Sequence, residues 1–369
     1  MVPFALRSLF HDKIRLLIAV GGVAFAILLI LVLRGIMDGT VAKATTYVDH
    51  VGADIFLAQE GVEHFALSTS VLPVQAETAA ASVSGVLLAR GIISVPMVLD
   101  VAGTDAAVRL VGFDTSSGFG GPWSLAKGTA AIGEKGLVMD SALARNRGIK
   151  IGDSIEIGSQ QFEVQGLSRQ TNALAGKVIF IRREAAASLI GLSGAYSYVL
   201  VKTDGKASDA TVQQALRAAL PRTTVLTRKE LSNGERSLLG GLFVTPVNVM
   251  ASIGLLVGIM VVGLTIYTAA AERLRDFGVL KAIGASNRYI YGVIIRQALI
   301  VGLTGFVLGL GAGLAAKPII EYFVPDLGIQ LRLQFLAFVL AIAIAISLVA
   351  ALLPVYRISG VDPKQVFKA

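Results

Sequence analysis

Four long apolar runs interrupt an otherwise mixed pattern of apolar and polar positions along the chain. Three of them are Leu16–Leu33, Gln297–Ala316 and Leu333–Tyr356, and the fourth lies inside Ser237–Ala271, a stretch without a charged residue. A helix needs about 20 apolar residues to cross a bilayer. Core helices of soluble proteins rarely reach such lengths without a charge, so the pattern predicts four transmembrane helices.

The first run is predicted to be a membrane helix and not a cleaved signal peptide. Its apolar core exceeds the roughly 7–15 residues typical of a secretory leader. Arg34, Gly35 and Ile36 follow it, where a leader would carry a small-x-small cleavage site. We therefore expect an uncleaved first span.

The segment from about Gly39 to Arg236 is long enough to bury a core of its own. It begins helically after Arg34, and strands are predicted in ADIFLA, GVLLARGIISVPMVLD, AAVRLVGFD, KVIFI and YSYVLVKT. A helix is predicted at Ser141–Arg147, followed by a hairpin in which GSQ turns between DSIEI and QFEVQGL. The predicted fold class is an α-helical membrane protein with four transmembrane helices and an α+β extracytoplasmic domain between helices 1 and 2.

The second apolar run is longer than a membrane span requires. As a helix, its 35 uncharged residues would extend about 50 Å, whereas the hydrocarbon core is about 30 Å thick. The excess is predicted to form a stalk, with Pro246 as the candidate bend. The predicted divisions are residues 1–38 (cytoplasmic amphipathic helix and first span), 39–236 (extracytoplasmic domain), 237–271 (stalk and second span), 272–296 (cytoplasmic coupling helix), 297–316 (third span), 317–332 (outer loop), 333–356 (fourth span) and 357–369 (cytoplasmic tail).

Basic residues near the ends of the spans set the predicted orientation. The chain carries a net charge of +8, and +7 of it lies in the stretches before the first span, between the second and third spans, and after the fourth. Short basic loops stay in the cytoplasm. Both termini are therefore expected in the cytoplasm and the domain outside, in a multi-pass protein of the inner (cytoplasmic) membrane. The basic residues are Arg7, Lys13, Arg15, Arg273, Arg275, Lys281, Arg288, Arg296, Arg357, Lys364 and Lys368.

The composition agrees with a membrane protein and gives no sign of catalysis. The chain is 54% hydrophobic and its mean hydropathy is +0.72. The positive charge is read as a topology signal, so no nucleic-acid partner is expected. There is no cysteine, the three histidines have no metal-ligand spacing, and neither a G-x-x-x-x-G-K-[ST] loop nor another catalytic signature occurs. We therefore expect a non-catalytic subunit without a cofactor or metal of its own, so any ATP-driven role needs a separate subunit.

Five acidic residues and the single tryptophan of the predicted domain are candidate site residues. Asp114, Asp140, Asp153, Glu156 and Glu163 are scattered among turns and strand faces, so each is expected to cap a helix or turn or to be solvated. Trp123 is expected to fill a small core, although its setting in GFGGPWSL also fits an exposed contact.

Glycines recur at four-residue spacing in two of the predicted spans. Gly305, Gly309 and Gly313 lie in the third span, and Gly254 and Gly258 lie in the second. Small residues at this spacing let helix backbones approach closely in lipid. The pattern fits a dimer seam or a sliding helix, and it fits routine packing within one chain equally well. The absence of Asp, Glu, Lys and Arg from the four span cores argues against an ion-coupled transporter.

The charged stretch AERLRDFGVLKAIGASNRYI connects the second and third spans. Apolar residues recur in it every three positions, with charges around them, a glycine as a helix stop and Ser286 as an N-cap for the next helix. One interpretation is an amphipathic helix on the membrane surface. The other is a helix that docks a cytoplasmic protein through its apolar anchors. The candidate docking residues are Glu272, Arg273, Leu274, Arg275, Asp276, Phe277, Leu280, Ile283 and Gly284.

Four motifs, in this order along the chain, resemble MacB/FtsX-type ABC transporter permeases. Their cytoplasmic helix and first span are similar to ALRSLFHDKIRLLIAVGGVAFAI, and their outer-domain hairpin is similar to MDSALARNRGIKIGDSIEIGSQQFEVQGL. Their coupling loop is similar to AAAERLRDFGVLKAIGASNRYI, and their C-terminal ending is similar to PVYRISGVDPKQVFKA. The chain is most similar to the short four-helix permeases that include DevC-like and haem-exporter HrtB-like proteins. Unlike MacB, it has no fused ATPase domain.

The resemblance implies a homodimer in the lipid bilayer that works with two ATPase subunits, which bind ATP and Mg²⁺. It also implies that the candidate docking residues form the ATPase-coupling loop and that ATP-driven motion is carried to the outer domain. The implied function is export or extrusion of a lipophilic or amphipathic compound by mechanotransmission. The alternative is an FtsX-like mechanical regulator of an extracellular enzyme such as a cell-wall hydrolase. A sensor or adhesion protein is disfavoured by the coupling-like loop. A periplasmic adaptor is left open, because the smaller outer domain puts partnership with an outer-membrane duct in doubt.

Overall fold

The computed structural model describes residues 13–101, 103–174, 176–272, 279, 285–323, 328–330 and 333–359. The chain divides into two compact units. The helical unit comprises residues up to Gly39 and from Leu242 onward, and the α+β unit comprises Thr40–Gly241.

The elements follow one another in an order that places the α+β unit between the first and second long helices. The helices are α1 (Lys13–His50), α2 (Gln75–Ala81), α3 (Ser141–Arg147), α4 (Arg183–Leu189), α5 (Asp209–Ala219), α6 (Arg228–Glu272), α7 (Asn287–Phe323) and α8 (Leu333–Ser359). The strands are β1 (Ile55–Gln59), β2 (Leu72–Pro73), β3 (Val86–Asp100), β4 (Asp105–Phe113), β5 (Leu125–Gly128), β6 (Gly136–Asp140), β7 (Ser154–Ile157), β8 (Gln160–Ser168), β9 (Asn172–Ala173), β10 (Gly176–Arg182), β11 (Ala195–Tyr196), β12 (Tyr198–Thr203) and β13 (Thr223–Thr227).

The helical unit is built from α1, α6, α7 and α8, and each is long and apolar enough to cross a membrane. Small and branched apolar side chains from all four helices share one core, including Ile27, Val262, Ala298 and Ile346. Large apolar side chains on the other faces, such as Phe25, are exposed. This is the distribution expected of helices whose outer surfaces face lipid.

Three of the long helices extend far beyond the predicted divisions, and α8 ends three residues past the predicted fourth span. α7 begins ten positions before the predicted third span and continues to Phe323, so part of the predicted outer loop and part of the predicted coupling helix are helix α7. α6 begins at Arg228, ahead of the predicted stalk, and Pro246 lies within it. α1 continues to His50. Hydropathy marks only the lipid-exposed part of a helix, whereas backbone hydrogen bonding continues through polar turns beyond it.

The α+β unit contains a mixed sheet in the order β13-β1-β12-β3-β4-β10-β6-β8-β5, with β7 paired to β8 and β9 to β10. β3 holds the sheet together, because its first half pairs with β12 and its second half with β4. Two pairs are parallel, β10 with β4 and β6 with β8. A second, two-stranded sheet pairs β11 with β2.

Local signals account for much of this unit. Asp140 begins α3 by accepting hydrogen bonds from the backbone N–H groups of Ala142 and Leu143, and Gly148 ends it with φ of 69°. β7 and β8 alternate buried and exposed positions, as a sheet with one covered face requires. The helix α3 and the β7–β8 hairpin therefore lie where the sequence predicts them.

Candidate functional site

Most of the predicted ATPase-coupling residues lie outside the described residues. These are Arg273, Leu274, Arg275, Asp276, Phe277, Leu280, Ile283 and Gly284. Two flanking residues are described. Glu272 is the last residue of α6, and Ser286 accepts a hydrogen bond at 3.3 Å from the backbone N–H of Tyr289, which confirms it as the N-cap of α7.

Glu272 forms a two-pronged ion pair with Arg15 of α1. Both terminal nitrogens of the guanidinium donate to the carboxylate, one of them at 2.6 Å. The side chains are 35% and 60% exposed, so the pair contributes less than about 1 kcal/mol to stability. Its consequence is geometric, because it joins the start of α1 to the end of α6. The sequence interpretation treated Arg15 only as a topology signal and missed this pairing.

The glycines of α7 face α1 of the same chain. A Cβ added at Gly309 would lie 2.6 Å from the carbonyl oxygen of Ala24 and 2.8 Å from Cβ of Ile27. At Gly305 it would meet Cβ of a valine at 2.6 Å, and at Gly313 it would be within 3.3 Å of a leucine, both on α1. Only glycine allows this approach at Gly305 and Gly309.

The glycines of α6 also face α1, although less tightly. Added Cβ atoms at Gly254 and Gly258 would lie 3.3 Å from Leu29 and from Ala26. Packing within one chain therefore accounts for the contacts of all five predicted glycines, while a dimer seam or sliding helix stays a prediction. α1 is the common partner of α6 and α7 in the helical unit.

In the α+β unit, the end of α1 and the start of α6 are joined by polar contacts. The carboxylate of Asp49 accepts a hydrogen bond from the hydroxyl of Ser232 at 2.8 Å and another from Arg236 at 3.1 Å. The two helices that lead out of the α+β unit are thus fastened to each other there.

A buried pair of opposite charges holds the loop after β1. Glu235 of α6 accepts hydrogen bonds from the backbone N–H groups of Phe65 and Ala66, while Arg109 of β4 donates to the carbonyl oxygen of Ala66. Arg109 also donates to the hydroxyl of Ser94 at 3.0 Å and lies over the Phe65 ring, 5.0 Å from its centroid. We call these five residues the loop clamp.

The loop clamp is fully enclosed. Arg109 and Glu235 are both 0% exposed. Burial lowers the pKa of Arg109, and the nearby charge of Glu235 partly opposes that effect. Burial raises the pKa of Tyr198, which lies beside them. Among the described residues, Nε of Arg109 and Oε2 of Glu235 have no hydrogen-bond partner. Such buried charges are costly unless paired, so the clamp depends on both members.

The sequence interpretation missed the loop clamp. A signal for Arg109 was available, because it stands in the apolar strand AAVRLVGF, whose second half is entirely buried. A charge in such a strand indicates a buried partner. Nothing in the polar start of α6 distinguishes Glu235 from its neighbours.

The scattered acidic residues act as caps, turn residues or solvated side chains, as predicted. Asp140 caps α3, Asp153 accepts from the backbone N–H of Lys150 at 2.7 Å, and Glu156 and Glu163 are exposed. Burial alone would raise the pKa of Asp114, but hydrogen bonds from two serines and from Arg90 outweigh it and lower the pKa to about 2. In the described part of the chain, no three His, Asp or Glu side chains are grouped to hold a metal.

Trp123 is partly buried and packs against the core of the α+β unit, as the sequence interpretation favoured. Its ring centroid lies 5.9 Å from that of Tyr47 and 6.2 Å from that of Phe180. It therefore fills space between α1 and the sheet inside the α+β unit.

Comparison with known families assigns both parts of the chain. The MacB-like periplasmic core domain matches residues 16–219, more than half of the chain. The FtsX-like permease C-terminal domain matches residues 248–363. The chain belongs to the MacB/FtsX-type ABC transporter permeases. It is thus a multi-pass membrane subunit of an ABC transporter, and the predicted fold class, four membrane helices with an α+β domain after the first, is confirmed.

Three relatives that resemble this chain in sequence are described as ABC transporter permeases or as an ATP-binding/permease protein. An uncharacterized ABC transporter permease of Mycobacterium bovis is 27% identical over 371 residues, covering 100% of this chain and 99% of the relative. One of Methanocaldococcus jannaschii is 30% identical over 190 residues, covering 50% of this chain and 47% of the relative. The macrolide export ATP-binding/permease protein MacB of Azoarcus sp. is 23% identical, covering 97% of this chain and 58% of MacB.

Two solved extracytoplasmic domains are similar to part of this chain. The periplasmic region of MacB from Actinobacillus actinomycetemcomitans matches 51% of this chain and 94% of its own, with 11% identity and a TM-score of 0.40. The extracellular domain of the ABC-type transporter YknZ from Gram-positive bacteria matches 47% of this chain and 99% of its own, with 13% identity and a TM-score of 0.39.

Proposed function

We propose that this permease couples ATP hydrolysis by a separate ATPase chain to export or extrusion of a lipophilic or amphipathic compound by mechanotransmission. In this proposal ATP and Mg²⁺ bind the ATPase, the permease acts as a homodimer, and both of its termini are cytoplasmic. The observation that carries the proposal is that α1 and α6 each supply residues to both units as uninterrupted helices.

The side-chain contacts of these helices support a mechanical role. At one end Arg15 joins α1 to Glu272, next to the predicted coupling loop. In the α+β unit Asp49 joins the same two helices, and Glu235 of α6 holds the loop clamp. A helix is stiff along its axis because each turn is hydrogen-bonded to the next. A displacement of α6 at its Glu272 end therefore has a path to the loop after β1.

ATPase docking is tested by truncating the central anchor of the predicted coupling loop. Phe277→Ala should weaken ATPase binding by about thirtyfold, since losing a central aromatic anchor often costs about 2 kcal/mol. Phe25→Ala is the matched control, because Phe25 is an exposed aromatic residue on α1, outside the loop. A pull-down of the ATPase over a concentration series, with both variants verified as inserted, gives the measurement. Equal recovery by both variants would refute docking through Phe277 and would favour the membrane-surface interpretation.

Mechanical coupling is tested by loosening α6. Inserting three glycines between Gly240 and Gly241 interrupts the helix at a place where both neighbours face open space. ATPase binding should persist, while the ATP-dependent fluorescence change of a dye on Ser159→Cys in the α+β unit should disappear. A dye response that survives the insertion would contradict transmission through α6.

The alternative function is a mechanical regulator of an extracellular enzyme such as a cell-wall hydrolase, and the FtsX-like match over residues 248–363 is compatible with it as well as with export. The same coupling would then move a bound enzyme and no compound would be extruded. Co-purification of a hydrolase that the ATP-loaded complex activates would favour this alternative. ATP-dependent release of an amphiphile from vesicles containing only the permease and its ATPase would favour export. A periplasmic adaptor remains a separate proposal, testable by cross-linking from the β7–β8 turn.

A further inference from the structure

The helical unit contains a cavity of about 400 Å³ among α1, α6 and α8. This volume lies in the range of small-ligand sites, about 300–1,000 Å³. Three of the lining residues are polar, Arg34 of α1 and Asn248 and Ser252 of α6, and the rest are apolar or aromatic, including Leu255, Phe335 and Phe338. A wall of this composition suits a ligand with one charged end and one apolar end.

Arg34 and Ser252, which line the cavity, each lie about one hydrocarbon thickness along their helix from a member of the Arg15–Glu272 ion pair. Arg34 follows Arg15 by 19 residues on α1, and Ser252 precedes Glu272 by 20 residues on α6. At 1.5 Å per residue both separations are about 30 Å, the thickness of the bilayer core. With the ion pair at one membrane boundary, next to the predicted cytoplasmic loop, this separation predicts that the cavity lies at the opposite boundary, where lipid headgroups meet the acyl chains.

Arg34 is only partly compensated at this position. Its Nε is 3.4 Å from Oδ1 of Asp38, and a terminal nitrogen is 3.9 Å from the sulfur of Met37. The guanidinium lies over the ring of Phe335, 5.7 Å from its centroid. Within the described part of the chain, Nε is buried without a hydrogen-bond partner. Apart from its ion pair with Asp38, the guanidinium has no oxygen partner among the described residues, and its side chain is 37% exposed, so its fork is open to a phosphate or carboxylate.

A second cavity lies beside the first, and its lining residues are all on α6. It measures about 430 Å³ and shares Asn248 and Ser252 with the first. Its remaining wall includes Ile253 and Leu256, which are 58% and 56% exposed. An apolar chain leaving the polar lining residues would meet Ile253, Leu256 and the lipid beside them.

We propose that these cavities bind an amphiphile drawn from the bilayer and carrying an anionic headgroup. The headgroup is held by Arg34, with Asn248 and Ser252 as hydrogen-bonding neighbours, and the apolar chain lies along Leu255 and Leu256. This inference rests on the proposed export function and narrows its substrate class to anionic amphiphiles.

The test uses the full chain, without ATPase, in nanodiscs of phosphatidylcholine that contain a trace of phosphatidic acid photoactivatable on its acyl chain. Arg34→Gln should reduce photolabelling about tenfold or more, because a charge-assisted hydrogen bond contributes about 1.5–3 kcal/mol. Lys317→Gln is the matched control, since it removes a cation of α7 that does not line the cavity, and it should label like the unmodified protein. Asp38→Asn should label at least as strongly as the unmodified protein, because it removes the competing carboxylate.

Several labelling results would refute the proposed binding site. Equal labelling of Arg34→Gln and the unmodified protein would do so, as would equal labelling by photoactivatable phosphatidylcholine or diacylglycerol. If Arg34→Gln fails to insert, Ala251→Phe gives the same decision, because it places an aromatic ring in the cavity that Ala251 lines. Blocked labelling supports the site, and unchanged labelling refutes it.

The assay separates this inference from the proposed function. Because no ATPase is present, lost labelling in every arm refutes the site and leaves ATP-driven coupling standing. Retained labelling without ATP-driven release of the lipid refutes export and leaves the site standing.

Discussion

The contact between Gly309 of α7 and α1 allows a quantitative test of the packing in the helical unit. The perturbation is Gly309→Ala, a single added methyl group. The new Cβ would lie 2.6 Å from the carbonyl oxygen of Ala24 and 2.8 Å from Cβ of Ile27. Ordinary van der Waals separation is about 3.5 Å or more. Because the first obstacle is backbone, α7 must move away from α1 by roughly 1 Å.

The expected magnitude combines two opposing effects. Overpacking in a close-packed interior costs about 1–3 kcal/mol. Alanine in place of glycine within a helix returns about 0.5–1 kcal/mol. The net expectation for Gly309→Ala is a loss of about 1–2 kcal/mol of stability. Gly311→Ala is the matched control, because it makes the same change two residues away where nothing lies within 4 Å.

Gly311→Ala should be neutral or slightly stabilising. The two variants should therefore differ by about 2 kcal/mol, which is about thirtyfold in the folded-to-unfolded ratio. Unfolding of the full chain in a fixed detergent, titrated with a denaturing detergent and monitored by helical circular dichroism, measures the difference. Equal midpoints for the two variants would show that α7 and α1 are not in close contact at Gly309, and the packing argument would be wrong.

Three further predictions concern the α+β unit. Ser159→Cys, in the exposed β7–β8 turn of a chain without cysteine, should react with a membrane-impermeant maleimide from outside the cell; reaction only from the cytoplasmic side would reverse the predicted topology. Asp114 has a folded pKa of about 2, below its unfolded value of about 4, so its stabilisation is complete above about pH 4 and is lost as pH falls toward 2. Asp114→Asn should thus cost roughly 2 kcal/mol at pH 7, and the difference in denaturation midpoint should narrow below pH 4; a pH-independent difference would contradict this. Glu235→Ala should cost about 3 kcal/mol, because the buried N–H groups of Phe65 and Ala66 lose their acceptor and the buried charge of Arg109 loses a nearby opposite charge, whereas Glu235→Gln should cost less; equal losses by thermal unfolding would refute the acceptor role.

Local pattern was sufficient to predict many elements of this protein. The apolar run at Leu333–Tyr356 predicted α8 to within three residues of its end, and the motif from Ser141 predicted α3 with its bounds. The alternation in DSIEI and QFEVQGL predicted the β7–β8 hairpin. These features depend on hydropathy, capping and side-chain period, which are properties of neighbouring residues.

The order of the strands could not be predicted in the same way. β10 pairs in parallel with β4 and antiparallel with β6, and the single strand β3 pairs with β12 along one half and with β4 along the other. Many strand orders satisfy the same alternation, because the pattern records only which face is buried. The observed order is decided by which faces can be covered together by α1 and the short helices.

The sequence by itself determined the membrane spans, the place of the α+β unit between the first two, and the small residues that permit close helix approach. Only the tertiary structure decided that Gly309 approaches α1 in its own chain and that Arg15 pairs with Glu272. It also decided that Arg109 and Glu235 both hydrogen-bond to the backbone of the loop after β1. These partners are far apart in sequence. A local pattern can show that a buried charge needs a partner or that a helix face carries only small side chains. Which residue becomes the partner depends on how whole helices and strands pack.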